Sequence, residues 1–534
     1  MRRPFLIGWL IVSVMSVAPS VAPSVAMAVA PLVAAAVAPP VATAPAGAAD
    51  TRLARAVQQQ DRAAIAHLLE QRVDVDAAQA DGMTALLWAA YGDDLALVNQ
   101  LVGAGANAKA SNRYGVTPLS LACTNGNAAM VERLIAAGAD LNTSLAGGET
   151  VLMTAARTGR VGVVRTLIAH GANVHATEGD RGQTALMWAA AEGHVETVEA
   201  LIIAGADFRA PLDSGFTPLL FAVREGHVGV VRALLKAGAN VNETVKTPPS
   251  RSRPLPGGRG MDPGSSALLV AVWNGHFDLA AELLTAGADP NADLPGYTAL
   301  HALARVRKSG VGDNDPSPTG SGTMTSIELL RQFAAHGADL NKPMTRRRNL
   351  NNTNFNEIGA TPFLLAAITA DAPFMKALAG LGADPLRTNR EKSTPLMAAA
   401  GLGTRSPGED AGTEAEVLAA LQVALDLGAD PNAVNDRGES AMHGAAYKNL
   451  PKVVEFLGSK GATVSVWNRQ NEYGWTPLTI ARGYRIGNFK PSPETVAAVD
   501  GLLRAAGITP PTEKEENAKG YDIYAPKPPA APPR

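Results

Sequence analysis

The sequence contains very little cysteine and few aromatic residues. Cys123 is the one cysteine among 534 residues, so no internal disulfide can form. Aromatic residues make up 5% of the chain, whereas alanine and glycine are abundant, as expected where helices pack through small residues. The formal net charge of −2 is too balanced to favour binding to nucleic acid or to a membrane surface by bulk attraction.

Motifs of the common enzyme and metal sites are also missing. The sequence has no glycine-rich phosphate loop after a strand, no H-E-x-x-H zinc motif and no G-x-S-x-G nucleophile elbow. Asp313-Asn314-Asp315 resembles the start of a calcium loop. An EF-hand loop, however, requires Gly and Glu at the positions that Pro318 and Met324 occupy here. We therefore expect no catalytic residue, no metal and no cofactor.

What the sequence does contain is a repeat. Residues 181–207, RGQTALMWAAAEGHVETVEALIIAGAD, are followed by a near-copy at 214–240, SGFTPLLFAVREGHVGVVRALLKAGAN. Thr184 and Thr217 hold the same place in each copy and are 33 residues apart. The period of 33, the T-P-L opening and the G-A-D or G-A-N close resemble the ankyrin repeat family.

The framework residues of the second copy each have a physical reason. Thr217 before Pro218 suits an N-cap oxygen followed by a first-turn residue without an N–H group. Gly226 can adopt the left-handed conformation that ends a first helix. The apolar face that follows predicts a second helix from about Val228 to Lys236. One such unit cannot bury its own apolar face, so the units must stack.

We predict twelve units between Asp50 and Gly507, with caps at both ends. The resemblance implies an all-α fold, an ankyrin-repeat solenoid of stacked helix pairs with short β-hairpin fingers. It is strongest for residues 81–240. After the N-terminal cap, the predicted openings are Thr84, Thr117, Thr150, Thr184, Thr217, Ser266, Thr298, Thr361, Thr394, Ser440 and Thr476.

Four stretches exceed the repeat length, and all are predicted to be loops. Residues 245–262 and 343–357 fall between units, where the family forms its fingers. Residues 307–325 and 403–413 fall between the two helices of a unit, which we expect to place them on the opposite edge of the solenoid.

Two residues replace a repeat glycine. Arg72 stands 33 residues before Gly105, and Lys392 replaces the glycine of a finger. A left-handed conformation at a residue with a side chain costs about 1–2 kcal/mol.

The cysteine and the histidines are expected to be structural. Cys123 takes the place of a small buried residue in a first helix. Equivalent histidines in adjacent units stand about 10 Å apart, which is too far to share a zinc ion. The resemblance implies that the histidines after the first-helix glycine tie the inter-helix turn, and that the others bond the opening Thr or Ser. The first group is His194, His227 and His276, and the second is His301 and His443.

The chain termini differ from the repeats. Arg2 and Arg3 precede an apolar run, and Ala26-Met27-Ala28 offers a small-x-small cleavage pattern, which predicts a bacterial-type export signal. A retained N-terminal inner-membrane anchor is the alternative. The predicted divisions are a signal peptide (1–28), an Ala/Pro-rich linker (29–49), regular repeats (50–244), an insertion loop (245–262), repeats with loop insertions (263–508) and a disordered Pro-rich tail (509–534).

The resemblance implies a non-catalytic protein-binding scaffold, which the signal would place in the periplasm or outside the cell. The expected partner is an unidentified envelope protein; nucleic acid binding is not expected, nor stable membrane insertion after signal cleavage. The alternative is a ligand-binding or enzymatic accessory site formed by loops 245–262 and 343–357. In this family the concave face binds partners. The matching positions here are Tyr91, Arg113, Tyr114, Arg157, Arg181, Phe216, Arg224, Trp273 and Tyr297.

Overall fold

The computed structural model describes residues 50–145, 147–246, 262–308, 317–348, 353–484 and 490–513. These residues form twenty-five helices and no strands. None of these helices is long and apolar enough to cross a membrane. The helices are α1 (Arg52–Gln58), α2 (Arg62–Glu70), α3 (Ala85–Tyr91), α4 (Leu95–Gly103), α5 (Pro118–Asn125), α6 (Ala128–Ala136), α7 (Val151–Arg157), α8 (Val161–Ala169), α9 (Ala185–Ala191), α10 (Val195–Ile203), α11 (Pro218–Glu225), α12 (Val228–Lys236), α13 (Ala267–Trp273), α14 (Phe277–Thr285), α15 (Ala299–Val306), α16 (Ser326–Ala335), α17 (Pro362–Ile368), α18 (Ala372–Gly380), α19 (Pro395–Ala400), α20 (Glu414–Asp426), α21 (Ala441–Tyr447), α22 (Pro451–Ser459), α23 (Val464–Trp467), α24 (Pro477–Ala481) and α25 (Pro493–Ala505).

Apart from the short α23, the helices form twelve consecutive pairs, as the repeat predicted. The described chain divides between Ala239 and Asn240 into unit 1, with α1–α12, and unit 2, with α13–α25. Within each unit, the first helices of neighbouring pairs contact one another, and most second helices do the same. Each pair thus buries its apolar face on its neighbours. The predicted all-α ankyrin-repeat solenoid is confirmed.

The helix boundaries follow the repeat chemistry. The Thr217 hydroxyl accepts a hydrogen bond from the backbone N–H of Leu220 at 3.2 Å and caps α11. Gly226, with φ of 79°, ends that helix in the left-handed conformation. Helix α12 has the predicted bounds, Val228–Lys236. Capping by Thr217 and Gly226 therefore sets where α11 starts and stops.

The fingers are tight turns that join one pair to the next. The Arg113 backbone N–H donates to the Asp81 carbonyl at 3.1 Å, and Gly179 donates in the same way to Gly147. The described fingers have no extended strands. They contain only the isolated antiparallel bridges Ser144–Thr150, Thr177–Thr184 and Thr244–Ser266.

In the described part of the chain, six residues other than glycine have left-handed backbones, and all lie at repeat positions where other units carry glycine. Arg72 has φ of 51° and Lys392 has φ of 58°, at the two positions where the sequence analysis found a repeat glycine replaced. The other four lie in turns between the two helices of a pair, and the sequence analysis did not identify them. They are Gln60, Asp93, Ala370 and Asn449.

Replacing Arg72 with glycine is expected to stabilise unit 1 by about 1 kcal/mol. Glycine removes the steric cost of the left-handed backbone, although it also increases the entropy of the unfolded chain. Urea unfolding followed by circular dichroism measures the change. Arg72→Ala is the matched control, because it removes the exposed side chain but keeps Cβ, and we expect no gain from it. An equal gain from both variants would show that backbone strain is not the cause.

The loop at 403–413 lies near the inter-helix turns as predicted, because the Lys448 side chain donates to the Ala411 carbonyl, although its first residue, Gly403, also accepts from the Asn354 N–H at 2.8 Å. One predicted boundary needs correction. The Pro-rich tail was expected to begin at 509, but Pro510 is buried. In addition, Arg482 donates to the Pro511 carbonyl at 2.8 Å. The last fold contacts therefore extend beyond the predicted end of the repeats.

Candidate protein-binding surface

Five of the predicted contact residues lie in unit 1, at the ends of first helices or on fingers, and we call these positions together the first-helix face. Tyr91 is the last residue of α3 and is 50% exposed. Arg157 is the last residue of α7, and its side chain is 40% exposed. Arg113 and Arg181 are exposed on fingers, and Tyr114 is half-buried beside Arg113. First helices stack on first helices within the unit.

Two tryptophans support this face, and the sequence analysis missed both. Trp88 lies one helical turn before Tyr91, and the two rings meet edge to face with centroids 5.8 Å apart. Its Nε1–H donates to Gln79 Oε1 at 2.9 Å. Trp188 holds the same repeat position in α9. Their common place one turn before the helix end was the signal that could have identified them.

The exposed arginines are held by contacts within the chain. The Arg157 guanidinium lies 5.9 Å from the centroid of the Trp188 ring. Its Nη2 is 3.4 Å from Glu149 Oε1. On a neighbouring finger, Arg113 donates to the Tyr114 hydroxyl at 2.6 Å and lies 4.8 Å from the centre of its ring. Such contacts hold the side chains in place before any partner arrives.

Arg224 and Phe216 are less accessible than expected. The Arg224 side chain is 13% exposed and donates to Glu225 Oε1 at 2.7 Å. Its guanidinium packs over the Phe216 and Phe221 rings, with centroid distances of 5.6 and 5.1 Å. Phe216 is only 3% exposed, which corrects the expectation that it faces outward. It forms the apolar base on which Arg224 rests.

Trp273 and Tyr297 belong to unit 2 and are buried, which also corrects the sequence expectation. Trp273 is 6% exposed and Tyr297 is 2% exposed. The Trp273 Nε1–H donates to the Tyr297 hydroxyl at 3.1 Å, and this hydroxyl donates to Asp262 at 3.3 Å. Burial raises the pKa of Tyr297 above its usual range. Arg348 forms an ion pair with Asp262 above them. Arg348, which comes from the insertion at 343–357, thus lies over side chains that would face outward in a regular unit.

Two histidines of unit 1, those that follow the first-helix glycine, join neighbouring pairs. His194 Nε2 lies 2.9 Å from the carbonyl of Arg157, and His227 Nε2 lies 2.9 Å from that of Ala191. Each histidine therefore reaches back to the first helix of the pair before it. This confirms their structural role and adds the link between pairs.

The cysteine and the possible metal ligands are the candidate groups for chemistry among the described residues. Cys123 is buried, and burial raises the pKa of its thiol, which disfavours the reactive thiolate. No three His, Cys, Asp or Glu side chains in the described part of the chain could together hold a metal ion. The predicted acidic stretch at 313–315 lies outside the described residues.

Comparison with protein families decides the assignment. A family model described as "Ankyrin repeats (3 copies)" matches residues 53–144, 86–178, 122–211 and 152–245, and one described as "Ankyrin repeat" matches residues 264–293. This chain is an ankyrin repeat protein. As ankyrin repeats bind protein partners in general, it is a protein–protein interaction scaffold. The fold is generally a non-catalytic interaction module.

Two solved structures resemble parts of this ankyrin repeat protein. The human ASB11 ankyrin repeat domain is 22% identical with a TM-score of 0.39, and the match covers 51% of this chain and 100% of that one. The ankyrin repeat domain of Bcl-3, a unique member of the IkappaB protein family, is 28% identical with a TM-score of 0.33. That match covers 36% of this chain and 88% of the other. No curated protein matches the chain.

Proposed function

We propose that this ankyrin repeat protein is a non-catalytic scaffold of the bacterial cell envelope that binds a partner protein on the first-helix face of unit 1. The observation that carries the proposal is the set of exposed Tyr91 and Arg113 and partly exposed Tyr114 and Arg157 on stacked pairs. Tyrosine and arginine dominate protein interfaces, because they bury a large area and arginine can also pair with a charge. The partner would present an acidic or aromatic-accepting surface.

The support for this face comes from its preorganisation. Trp88 braces Tyr91 and Trp188 lies under Arg157, so ordering these side chains on binding costs little conformational entropy. The matching place in unit 2 is taken by Trp273, which is buried. Unit 1 is therefore the better candidate for an open binding surface.

Crosslinking capture from the native host tests the proposal. The test variant carries Tyr91→Ala, Arg113→Ala, Tyr114→Ala and Arg157→Ala, and we expect at least a tenfold loss of captured partner. The matched control changes four exposed residues on the second helices of unit 1 and is expected to capture as wild type. It carries Arg165→Ala, Glu199→Ala, Ile203→Ala and Lys236→Ala. Equal capture by the two variants would remove this face from consideration.

The envelope location rests on the N-terminal sequence, which lies outside the described residues. Arg2 and Arg3 before a short apolar run, with the cleavage pattern ending at Ala28, support export. We expect mass spectrometry of the protein from its host to find a mature N-terminus near residue 29. An intact Met1 start in a soluble cytosolic pool would contradict export, and an intact start in the membrane fraction would support the anchor instead.

The alternative accessory site is less well supported. Of loops 245–262 and 343–357, the second is described except for residues 349–352. Its Phe355 is buried, and Arg348 is paired with Asp262. These residues pack on the scaffold instead of lining an opening, so we favour the scaffold without chemistry of its own.

A further inference from the structure

The indole N–H group of Trp188 has no hydrogen-bond acceptor among the described residues, although its nitrogen is buried. Trp188 lies in α9, next to Arg157 of the first-helix face. Trp88 holds the same repeat position in α3, and its N–H donates to Gln79 Oε1 at 2.9 Å. A buried donor without an acceptor is rare in folded proteins and destabilises the chain that carries it. One of two equivalent tryptophans is thus satisfied, and the other is not.

The finger before α9 explains the missing acceptor. Glu178 takes the place of Gln79, because each donates its backbone N–H to the carbonyl of the residue before the opening Thr, over 3.0 and 2.9 Å. The Glu178 carboxylate accepts from the backbone N–H groups of Asp180 and Arg181, both at 2.7 Å, and of Gln183 at 3.1 Å. Both of its oxygens therefore hold the finger in shape, and neither accepts from the indole.

Arg157 lies beside the unsatisfied N–H group. Its guanidinium carbon is 5.9 Å from the centroid of the Trp188 ring, and its side chain is 40% exposed. The contact from its Nη2 to Glu149 Oε1 is 3.4 Å long, whereas a strong hydrogen bond of this kind measures about 2.7–2.9 Å. Glu149 also accepts from the Thr154 hydroxyl at 2.9 Å, so its carboxylate keeps a partner if Arg157 leaves it. Arg157 can therefore exchange this contact for a better one.

We propose that Trp188 and Arg157 form a carboxylate-binding site, in which the partner protein inserts the side chain of a glutamate or an aspartate. The inference rests on the function proposed for the first-helix face and names the group of the partner that this face recognises. The two oxygens of one carboxylate accept from the indole N–H and from the guanidinium group at the same time. Arg157 exchanges Glu149 for the partner's carboxylate, and this movement uncovers the indole nitrogen.

The site selects a carboxylate over a neutral group. An amide oxygen also accepts from an indole N–H, but only an anion compensates the charge of Arg157. The pair that contains Trp88 does not offer the same site, because Gln79 already accepts from that indole. One position among several similar helix pairs is therefore marked for the acidic side chain, which fixes where along the repeats the partner binds.

Titration with a short acidic peptide tests the site without an identified partner. The probe is the tripeptide glycine–glutamate–glycine, blocked at both ends, and the full chain is labelled with nitrogen-15. The sequence has six tryptophans, so the spectrum contains few indole N–H signals, and the signal of Trp188 is the one that disappears in Trp188→Phe. We expect this signal to move downfield and saturate as the probe is added, because a hydrogen bond to an anion deshields the proton. The Trp88 signal should stay in place.

A matched probe and three variants test the role of charge. The tripeptide with glutamine in place of glutamate should bind about tenfold more weakly, and Arg157→Gln should weaken binding of the acidic probe by about tenfold. Glu149→Gln should strengthen it about threefold, since it removes the internal anion but keeps an acceptor for Thr154. Arg165→Ala, an exposed change on α8, should bind as wild type. A Trp188 signal that stays in place with the acidic probe, or moves equally with the neutral probe or in Arg157→Gln, would overturn the proposal.

Crosslinking capture separates this proposal from the function on which it rests. If the fourfold variant of the first-helix face captures the partner as well as its control does, the proposed function fails, whereas the titration still reports on the site. If the fourfold variant loses capture but Trp188→Phe and Arg157→Gln both keep it, the face stands and the carboxylate site is wrong. We expect each of these two single variants to capture less partner than wild type.

Discussion

Lowering the pH from 7.5 to 5.0 is expected to destabilise unit 2 by about 2 kcal/mol for each of two buried histidines. Burial lowers the pKa of His301 and of His443 to about 4, from an ordinary value near 6.5. The unfolded chain therefore binds protons that the folded chain does not. Their contribution to stability is complete above pH 6.5 and is lost as the pH falls towards 4.

One contact of each ring acts with burial to favour the neutral form, whereas the contact with a backbone carbonyl acts against it. His301 Nδ1 accepts from the Thr298 backbone N–H at 3.1 Å, and Nε2 faces the Ala360 carbonyl at 3.3 Å. His443 makes the same pair of contacts with Ser440 and Arg469. Protonation of Nδ1 would place a second donor opposite the backbone N–H of the cap residue, Thr298 or Ser440, and that hydrogen bond would be lost. Unit 1 carries Leu, Ser or Met at this position, so it lacks the effect.

Methionine is the matched replacement, because other pairs use it in the same place. Met153 Sδ accepts from the Thr150 N–H at 3.4 Å, and Met397 does so from Thr394. Urea unfolding at pH 7.5 and 5.0 should show a much smaller pH dependence in the His301→Met, His443→Met variant. If the variant and wild type lose stability equally, the histidines are not the cause.

Gly159→Ala should destabilise unit 1 by about 3 kcal/mol. Gly159 has φ of 68°, and an added Cβ would lie 2.5 Å from Nδ1 of His194. The left-handed backbone costs about 1–2 kcal/mol once Cβ is present. Displacing the His194 ring also breaks its 2.9 Å contact with the Arg157 carbonyl, which adds about 1 kcal/mol.

Gly105→Ala separates the two effects. Gly105 has φ of 93°, but nothing lies within 4 Å of its added Cβ, so only the backbone cost applies. In a His194→Ala background, Gly159→Ala should cost no more than Gly105→Ala does in wild type. Urea unfolding of the four variants provides the comparison. An unchanged cost in the His194→Ala background would show that the histidine does not join the pairs.

The repeat made much of the fold predictable. Helix α12 has the predicted bounds because Pro218, Gly226 and the apolar spacing are local signals that recur every 33 residues. The same alignment of repeats identified Arg72 and Lys392 as replacements for a repeat glycine, and both have left-handed backbones. The structure of a helix pair repeats along the chain because each pair packs against neighbouring pairs of the same kind.

The site was less predictable because burial there depends on residues outside the repeat. Trp273 and Tyr297 hold positions that would face outward in a regular unit, but Arg348 pairs with Asp262 above them. No periodic signal links those two residues. Trp188 was missed for the opposite reason: it lies inside the pattern, one turn before the residues that were considered.

The most direct test of the central claim, that unit 1 binds its partner through the first-helix face, is hydrogen exchange of the full chain with and without the captured partner. We predict slower exchange at the ends of α3 and α7 and in the finger at 111–116, with α8 and α10 unchanged. Protection confined to α8 and α10, or to unit 2, would contradict the claim.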